Sequence, residues 1–247
     1  LDPVSSSYEW CKVIRKLEKN HTVYTLDLIG CGRSDKPFLT YTNYLYVQLI
    51  TDFIRNVIGE KTAVLTSNES VSFTVLACNM NKDLMSSILV LNPASLKSLH
   101  ITTNKYASVK KTLFELPIIG TFLYNLRVSN TSLNKAFRED YYARPQLISS
   151  KLMDAYYEAA HKGGCYAKNV YANKVAKYMN TDITRALKEI DNSLYIVEGE
   201  AENNGEAAVE AYQSINPSVE AVTLKEIKHF PQAEDPEHFL EQVGIFF

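Results

Sequence analysis

The sequence has few of the features that mark disulfide-bonded, metal-binding or membrane-spanning proteins. Its four cysteines (Cys11, Cys31, Cys78 and Cys165) are far apart and form neither a CxxC pair nor a Cys/His metal spacing. This pattern predicts free thiols in a reducing cytoplasm and no metal. Nothing in the sequence implies a cofactor. No run of about eighteen apolar residues occurs, so we expect no membrane-spanning segment. The net charge of -2 gives no reason to expect nucleic acid as a partner.

The remaining composition is that of an ordinary globular protein, and its first part alternates strand and helix patterns. Hydrophobic residues make up 46% of the 247 residues, enough for one large α/β domain or a core with an insertion. Apolar and β-branched runs predict strands at 22–28, 62–66 and 87–91. Amphipathic or apolar stretches predict helices at 44–58 and 70–80. This alternation indicates a parallel sheet with crossover helices.

The alternation stops in the middle of the chain and resumes near its end. Between residues 95 and 184 we find helical patterns and no convincing strand. Strands are predicted again at 193–197 and 219–224, and a closing helix at 236–247. We therefore expect a core formed by residues 1–94 and 184–247, with a helical cap inserted at 95–183. A cap beside the carboxyl ends of parallel strands typically shapes a ligand cavity.

Two distant segments resemble the α/β-hydrolase superfamily. Residues 21–37, HTVYTLDLIGCGRSDKP, resemble its strand and loop VYALDLxGxGxSDKP, and residues 228–239, KHFPQAEDPEHF, resemble its catalytic-histidine segment. The resemblance implies a mainly parallel α/β-hydrolase sheet with flanking helices and a cap. An alternative for Gly30 and Gly32 is a dinucleotide-binding fingerprint. Its third glycine would fall at Asp35, where a carboxylate would repel a pyrophosphate.

The family's nucleophile lies in a G-x-S-x-G turn between a strand and a helix, and here that turn contains no glycine. Residues 67–72 read SNESVS. In one register Ser70 is the nucleophile, with Asn68 and Ser72 in place of the glycines. Asparagine tolerates positive φ, which supports this choice. In the other register Glu69 takes the serine's position, and Val71 would crowd the turn.

The resemblance also implies the other members of a catalytic triad. His229 would be the general base for the Ser70 hydroxyl. Glu202, in the acidic stretch that follows the penultimate predicted strand, would hold the histidine, although Glu198 and Glu200 lie near. The oxyanion hole would use the backbone amide of Val71 and a second donor close to Leu1. The first residues resemble the segment after the family's His-Gly pair, so we expect the first strands to lie ahead of Leu1.

Three functions remain open from the sequence. The first is a serine hydrolase resembling carboxylesterases, which cleaves a small or medium ester through an acyl-enzyme. The second is a catalytically silent hydrolase fold that binds a ligand or partner. The third uses Glu69 as a carboxylate nucleophile, by analogy with the aspartate of related dehalogenases and epoxide hydrolases. The cap is rich in tyrosine, which suggests either a pocket for an apolar acyl or alcohol group or an ordinary cap core. The sequence does not reveal the oligomeric state.

Overall fold

The computed structural model describes residues 2–246, which divide into two compact units. Among the described residues, one unit comprises 43–102, 180–231 and 235–246, and we call it the sheet unit. The other comprises 2–42, 103–179 and 232–234, and we call it the helical unit. Residues 2–42 thus belong with the helical unit. The division into a core of 1–94 and 184–247 and a cap of 95–183 stays a prediction.

Four strands and thirteen α-helices are formed within residues 2–246. The strands are β1 (Thr62–Ser67), β2 (Met85–Leu91), β3 (Ser193–Gly199) and β4 (Glu220–Leu224). The helices are α1 (Cys11–Leu17), α2 (Asn43–Phe53), α3 (Val71–Met80), α4 (Leu96–His100), α5 (Ala107–Glu115), α6 (Ile119–Arg127), α7 (Asn130–Ala136), α8 (Ser150–His161), α9 (Lys168–Val175), α10 (Thr184–Glu189), α11 (Gly205–Ile215), α12 (Pro231–Glu234) and α13 (Pro236–Phe246).

The sheet unit is built on the four strands, which are all parallel and lie in the order β1-β2-β3-β4. Leu65 lies beside Leu89, which lies beside Tyr195 on the next strand. The inner strand β2 ends in the apolar run Ile88–Leu91, which is fully buried, as expected for a parallel strand covered on both faces. The predicted parallel sheet with flanking helices is therefore confirmed.

Helix α2 shows how local sequence sets the ends of an element. The predicted helix at 44–58 forms as α2, followed by one π-helical turn at Ile54–Ile58. Gly59 ends it with φ 76°, a left-handed conformation that glycine adopts without steric cost. The apolar face of α2 packs on α3, where the rings of Tyr46 and Phe73 lie 4.8 Å apart.

The predicted strand at 22–28 does not form, and this prediction is wrong. A strand needs a neighbouring backbone to complete its hydrogen-bond ladder, and no described residue pairs with this segment as a strand. Its end is held by a side chain instead. The Asp27 carboxylate accepts hydrogen bonds from the amides of Ser7 and Arg33, at 2.6 and 2.8 Å. The β-branched pattern of these residues is a local property, whereas strand pairing is a tertiary one.

The tyrosines of the helical unit divide between interior and surface. Tyr124, Tyr142 and Tyr156 are buried, and the Tyr124 hydroxyl donates to the carbonyl of Ala160 at 2.7 Å. Tyr166 is exposed. A cavity of about 10 Å³ lies in this unit, which is room for about one water molecule. Several of the tyrosines therefore form ordinary core.

The cysteines are free, as the sequence predicted, and two of them are buried. Burial raises the pKa of the Cys31 thiol to about 12 and that of Cys78 to about 11, so both remain protonated at neutral pH. Across residues 2–246, no helix combines the length and apolar character needed to cross a bilayer.

Candidate active site

The turn between β1 and α3 has its sharpest point at Asn68. Strand β1 stays extended to Ser67, with φ -138° and ψ 150°. Asn68 then adopts φ 47°, and a single 3-10 turn, Asn68–Ser70, leads into α3. Asparagine is among the few residues that take positive φ at low cost. The chain therefore makes, without glycine, the abrupt strand-to-helix turn that the family makes with it.

His229 lies between Asn68 and Glu202 in the loop that follows β4. Its Nδ1 is 3.3 Å from Glu202 Oε2, and its Nε2 is 3.5 Å from Asn68 Nδ2. The side chains of His229 and Glu202 are 17% and 20% exposed, so both are largely shielded from solvent but keep some accessible surface. Phe230 packs edge-on against the imidazole, with ring centroids 4.9 Å apart. A carboxylate at Nδ1 favours the tautomer whose Nε2 accepts a proton.

Of the three carboxylates considered from the sequence, Glu202 is the one that contacts His229. Glu200 is turned elsewhere, because its Oε2 accepts from the amide of Glu226 at 3.2 Å. Glu198 is buried at the end of β3, and burial, helped by neighbouring carboxylates, raises the pKa of its side chain. It lies so close to Gly205 that a Cβ there would be 1.9 Å from Glu198 Oε1.

Ser70 lies two residues after Asn68, where α3 begins. It has helical φ and ψ of -65° and -17° at the start of α3. Its carbonyl accepts from the Thr74 hydroxyl at 3.1 Å. In the described part of the chain, its own hydroxyl makes no hydrogen bond to His229. The sequence analysis did not consider the alignment in which Asn68 itself occupies the tip of the turn. The sequence feature that could have indicated it is an asparagine immediately after the last residue of β1. Ser70 as nucleophile stays a prediction.

The other residues of the turn serve its internal bonding. The Val71 amide, predicted for the oxyanion hole, donates to the carbonyls of Asn68 and Glu69. The Ser72 hydroxyl donates to the Glu69 carbonyl at 2.9 Å and accepts from Asn43 Nδ2 at 3.1 Å. These bonds tie the turn to α2. The predicted second donor near Leu1 lies outside the described residues.

Asn92, at the end of β2, holds the histidine loop, although the sequence analysis gave it no role. Its Nδ2 donates to the carbonyls of Lys228 and His229 at 2.9 and 3.0 Å. Its Oδ1 accepts from the amide of Gly199 at 2.8 Å. With φ 41°, Asn92 also turns the chain as it leaves the sheet. One buried side chain thus connects β2, the end of β3 and the loop that carries the imidazole.

Gly199 allows the same loop to approach the sheet. A Cβ at Gly199 would lie 2.3 Å from the carbonyl oxygen of Lys228 and 2.6 Å from that of Ile227. Both obstacles are backbone atoms, which cannot move aside by changing rotamer. The absence of a side chain at the last residue of β3 is therefore a condition for His229 to reach Glu202.

The glycine loop at residues 30–33 belongs to the helical unit and binds its own carboxylate. Gly32 has φ 52°, and a Cβ there would lie 2.4 Å from Asp27 Oδ2. The Arg33 amide, which would face a phosphate in a dinucleotide fingerprint, donates to the same carboxylate. This arrangement explains why glycine is needed in the loop, and it does not favour the dinucleotide-binding alternative. Within residues 2–246, no three His, Cys, Asp or Glu side chains cluster closely enough to bind a metal ion.

The strand order, the crossover helices and the turn facing a Glu–His pair together define the α/β-hydrolase fold. Comparison with solved structures agrees. The chain is similar to an epoxide hydrolase, with TM-score 0.78 and 18% identity over 98% of this chain and 87% of the other. It is similar to a meta-cleavage product hydrolase from Pseudomonas fluorescens, with TM-score 0.76 and 15% identity over 100% and 86%. A bromoperoxidase from Bacillus anthracis matches with TM-score 0.73 and 15% identity over 98% and 87%. No protein-family model and no curated protein sequence matches the chain.

Proposed function

We propose that this protein is a hydrolase of small or medium carboxylic esters, with His229 as its general base and Glu202 as the residue that orients it. The observation that carries the proposal is the 3.3 Å contact between His229 Nδ1 and Glu202 Oε2, with Nε2 directed to the tip of the turn after β1. An imidazole held by a carboxylate at Nδ1 can accept a proton at Nε2 and later return it. Hydrolase structures of the same fold support the class of reaction.

Water is the proposed nucleophile, because Asn68 lies opposite Nε2 and its amide cannot attack an ester. His229 Nε2 takes a proton from water while the water oxygen bonds to the ester carbonyl carbon. The tetrahedral intermediate then expels the alcohol oxygen, which receives that proton from the imidazolium. The products are a carboxylic acid and an alcohol. The Asn68 N–H can donate to the oxyanion as charge develops.

An acyl-enzyme on Ser70 is the alternative route to the same products. It requires the Ser70 hydroxyl to reach His229 when substrate is bound, and catalytic hydrogen bonds often tighten only then. A second candidate function belongs to another class: a silent fold that binds a ligand without turning it over. The observation that favours it is an asparagine at the tip of the turn, where a hydrolase of this fold carries its nucleophile.

Labelling combined with turnover separates these possibilities. The full chain is treated with a fluorophosphonate and the modified peptide is identified by mass spectrometry, while p-nitrophenyl acetate and butyrate report hydrolysis. We expect no serine adduct, and ester hydrolysis that falls by about 10²-fold or more in His229→Gln and persists in Ser70→Ala. In Asn68→Ser, which introduces a hydroxyl opposite Nε2, we expect an adduct at the new serine.

The contrary outcomes are distinct. An adduct on Ser70 that disappears in His229→Gln would replace the water route by the acyl-enzyme. Neither adduct nor hydrolysis in a folded protein, with labelling of Asn68→Ser, would favour the silent fold. Such a result would mean that the general-base pair is intact and that only the nucleophile is absent.

A further inference from the structure

Two consecutive helices of the helical unit, α5 and α6, carry large apolar side chains that are exposed. Helices α5 and α6 follow each other directly, and the turn between them holds Ile118, which is 84% exposed. Phe122 on α6 is 65% exposed. We call the whole set the α5–α6 face; it comprises Tyr106, Val109, Leu113, Leu116, Ile118, Ile119, Phe122 and Leu126, all exposed. Single exposed apolar residues are common, but here they recur every three or four residues, at 106, 109, 113 and 116 and at 119, 122 and 126. Each helix therefore carries an exposed apolar stripe, the kind of surface that marks an interaction site.

The inward-facing side chains of α5 and α6 already pack inside the unit. The Phe114 ring packs against Tyr171 with centroids 5.3 Å apart, and Tyr124 is buried with its hydroxyl bonded. Gly120 lies so close to α5 that a Cβ there would be 1.9 Å from the Phe114 carbonyl oxygen. The hairpin is therefore fixed in the unit by its inner side. The α5–α6 face is a second apolar surface on helices that are already packed.

The charge around this face is positive, in contrast to the chain as a whole. Residues 105–127 contain four basic side chains and the single acid Glu115, but Arg127 lines the cavity of the unit and bonds to Tyr141, so its charge is engaged there. Lys111 pairs with Glu115 at 2.7 Å. Lys105 and Lys110 are exposed, and Lys105 Nζ lies 5.0 Å from the centroid of the Tyr106 ring.

We propose that the α5–α6 face docks this protein on an anionic lipid bilayer. Apolar side chains bordered by lysines are what a helix lying in the membrane interface requires: the apolar groups enter the acyl region and the ammonium groups meet the headgroups. A second copy of the chain suits the face less well. A two-fold contact would bring two copies of the same lysine-bearing surface together and place like charges within one interface, whereas phosphate headgroups neutralise them.

Vesicle flotation with the full chain tests this docking without any measurement of turnover. One set of vesicles is pure phosphatidylcholine, and the other contains about one third phosphatidylglycerol. We expect at least about tenfold more protein on the anionic vesicles, and loss of this preference as salt shortens the Debye length. Ile118→Ser combined with Phe122→Ser should reduce binding about tenfold or more. Lys105→Gln combined with Lys110→Gln should reduce binding to the anionic vesicles only.

Ile245→Ser is the matched control, since Ile245 on α13 is 69% exposed and lies outside the face. It should bind as the original protein does, and circular dichroism should show all variants folded. Equal binding by the Ile118/Phe122 double variant would overturn the proposal, as would equal binding of the original protein to neutral vesicles. A dimer that this double variant converts to monomer, with no flotation, would instead assign the face to a contact between copies.

Discussion

Replacing Asn92 should loosen the loop that carries His229, and the structure sets the size of the effect. The Asn92 side chain makes three hydrogen bonds, two as donor and one as acceptor. Each is worth about 1 kcal/mol net, and the buried Gly199 amide left unpaired adds about 1 kcal/mol or more. Asn92→Gly should therefore lower the free energy of unfolding by about 3–4 kcal/mol. Asn92→Ala should cost about 1 kcal/mol more, because φ 41° is unfavourable for a residue with a Cβ.

Thermal unfolding followed by far-UV circular dichroism measures both variants. In a chain of this size 1 kcal/mol corresponds to about 2–4 °C, so we expect the midpoint to fall by about 10 °C. Asn134→Ala is the control, since Asn134 Nδ2 donates only to the carbonyl of Asn130, one turn earlier in α7. This substitution should change the free energy of unfolding by about 0.5 kcal/mol or less. A loss below about 1 kcal/mol in both Asn92 variants would refute this account of the clamp. Equal losses of stability in Asn92→Gly and Asn92→Ala would refute the contribution assigned to the positive φ.

Three further predictions concern single side chains. Gly199→Ala should lower stability by about 1–3 kcal/mol and ester hydrolysis with it, because its methyl group meets the Lys228 carbonyl oxygen; unchanged turnover would show that the loop relaxes freely. Burial raises the pKa of Glu198, so its folded form holds a proton more tightly and loses relative stability as the pH rises above about 4.5. Glu198→Gln should therefore gain stability over the original protein between about pH 4 and 7 in urea titrations, and a constant difference would contradict this sign. Tyr124→Phe should lower the free energy of unfolding by about 1 kcal/mol, because the hydrogen bond to the Ala160 carbonyl is lost. The same unfolding experiment measures this, and an unchanged free energy would mean that the bond contributes nothing net.

Local sequence was sufficient for most of the elements of the sheet unit. The apolar run of β2 and the alternation of strands and helices predicted a parallel sheet, and α2 ends at Gly59 as expected. These features follow from periodicity and backbone conformation, which act over a few residues. The segment at 22–28 has the same local pattern but no pairing strand within the described residues, so it does not become part of a sheet.

At the candidate active site, the resemblance to α/β-hydrolases predicted His229 as general base and Glu202 as its partner, and the structure places their side chains 3.3 Å apart. Their catalytic roles stay predictions. Only the tertiary structure decided which side chain faces the imidazole. The sequence left Ser70 and Glu69 as the candidates for this position, whereas Asn68 lies there, because β1 continues to Ser67 and φ turns positive at the next residue. The roles of Asn92 and Gly199 could not be predicted from the sequence either. Both depend on backbone atoms more than 25 residues away, which only folding brings within hydrogen-bond distance or into steric contact.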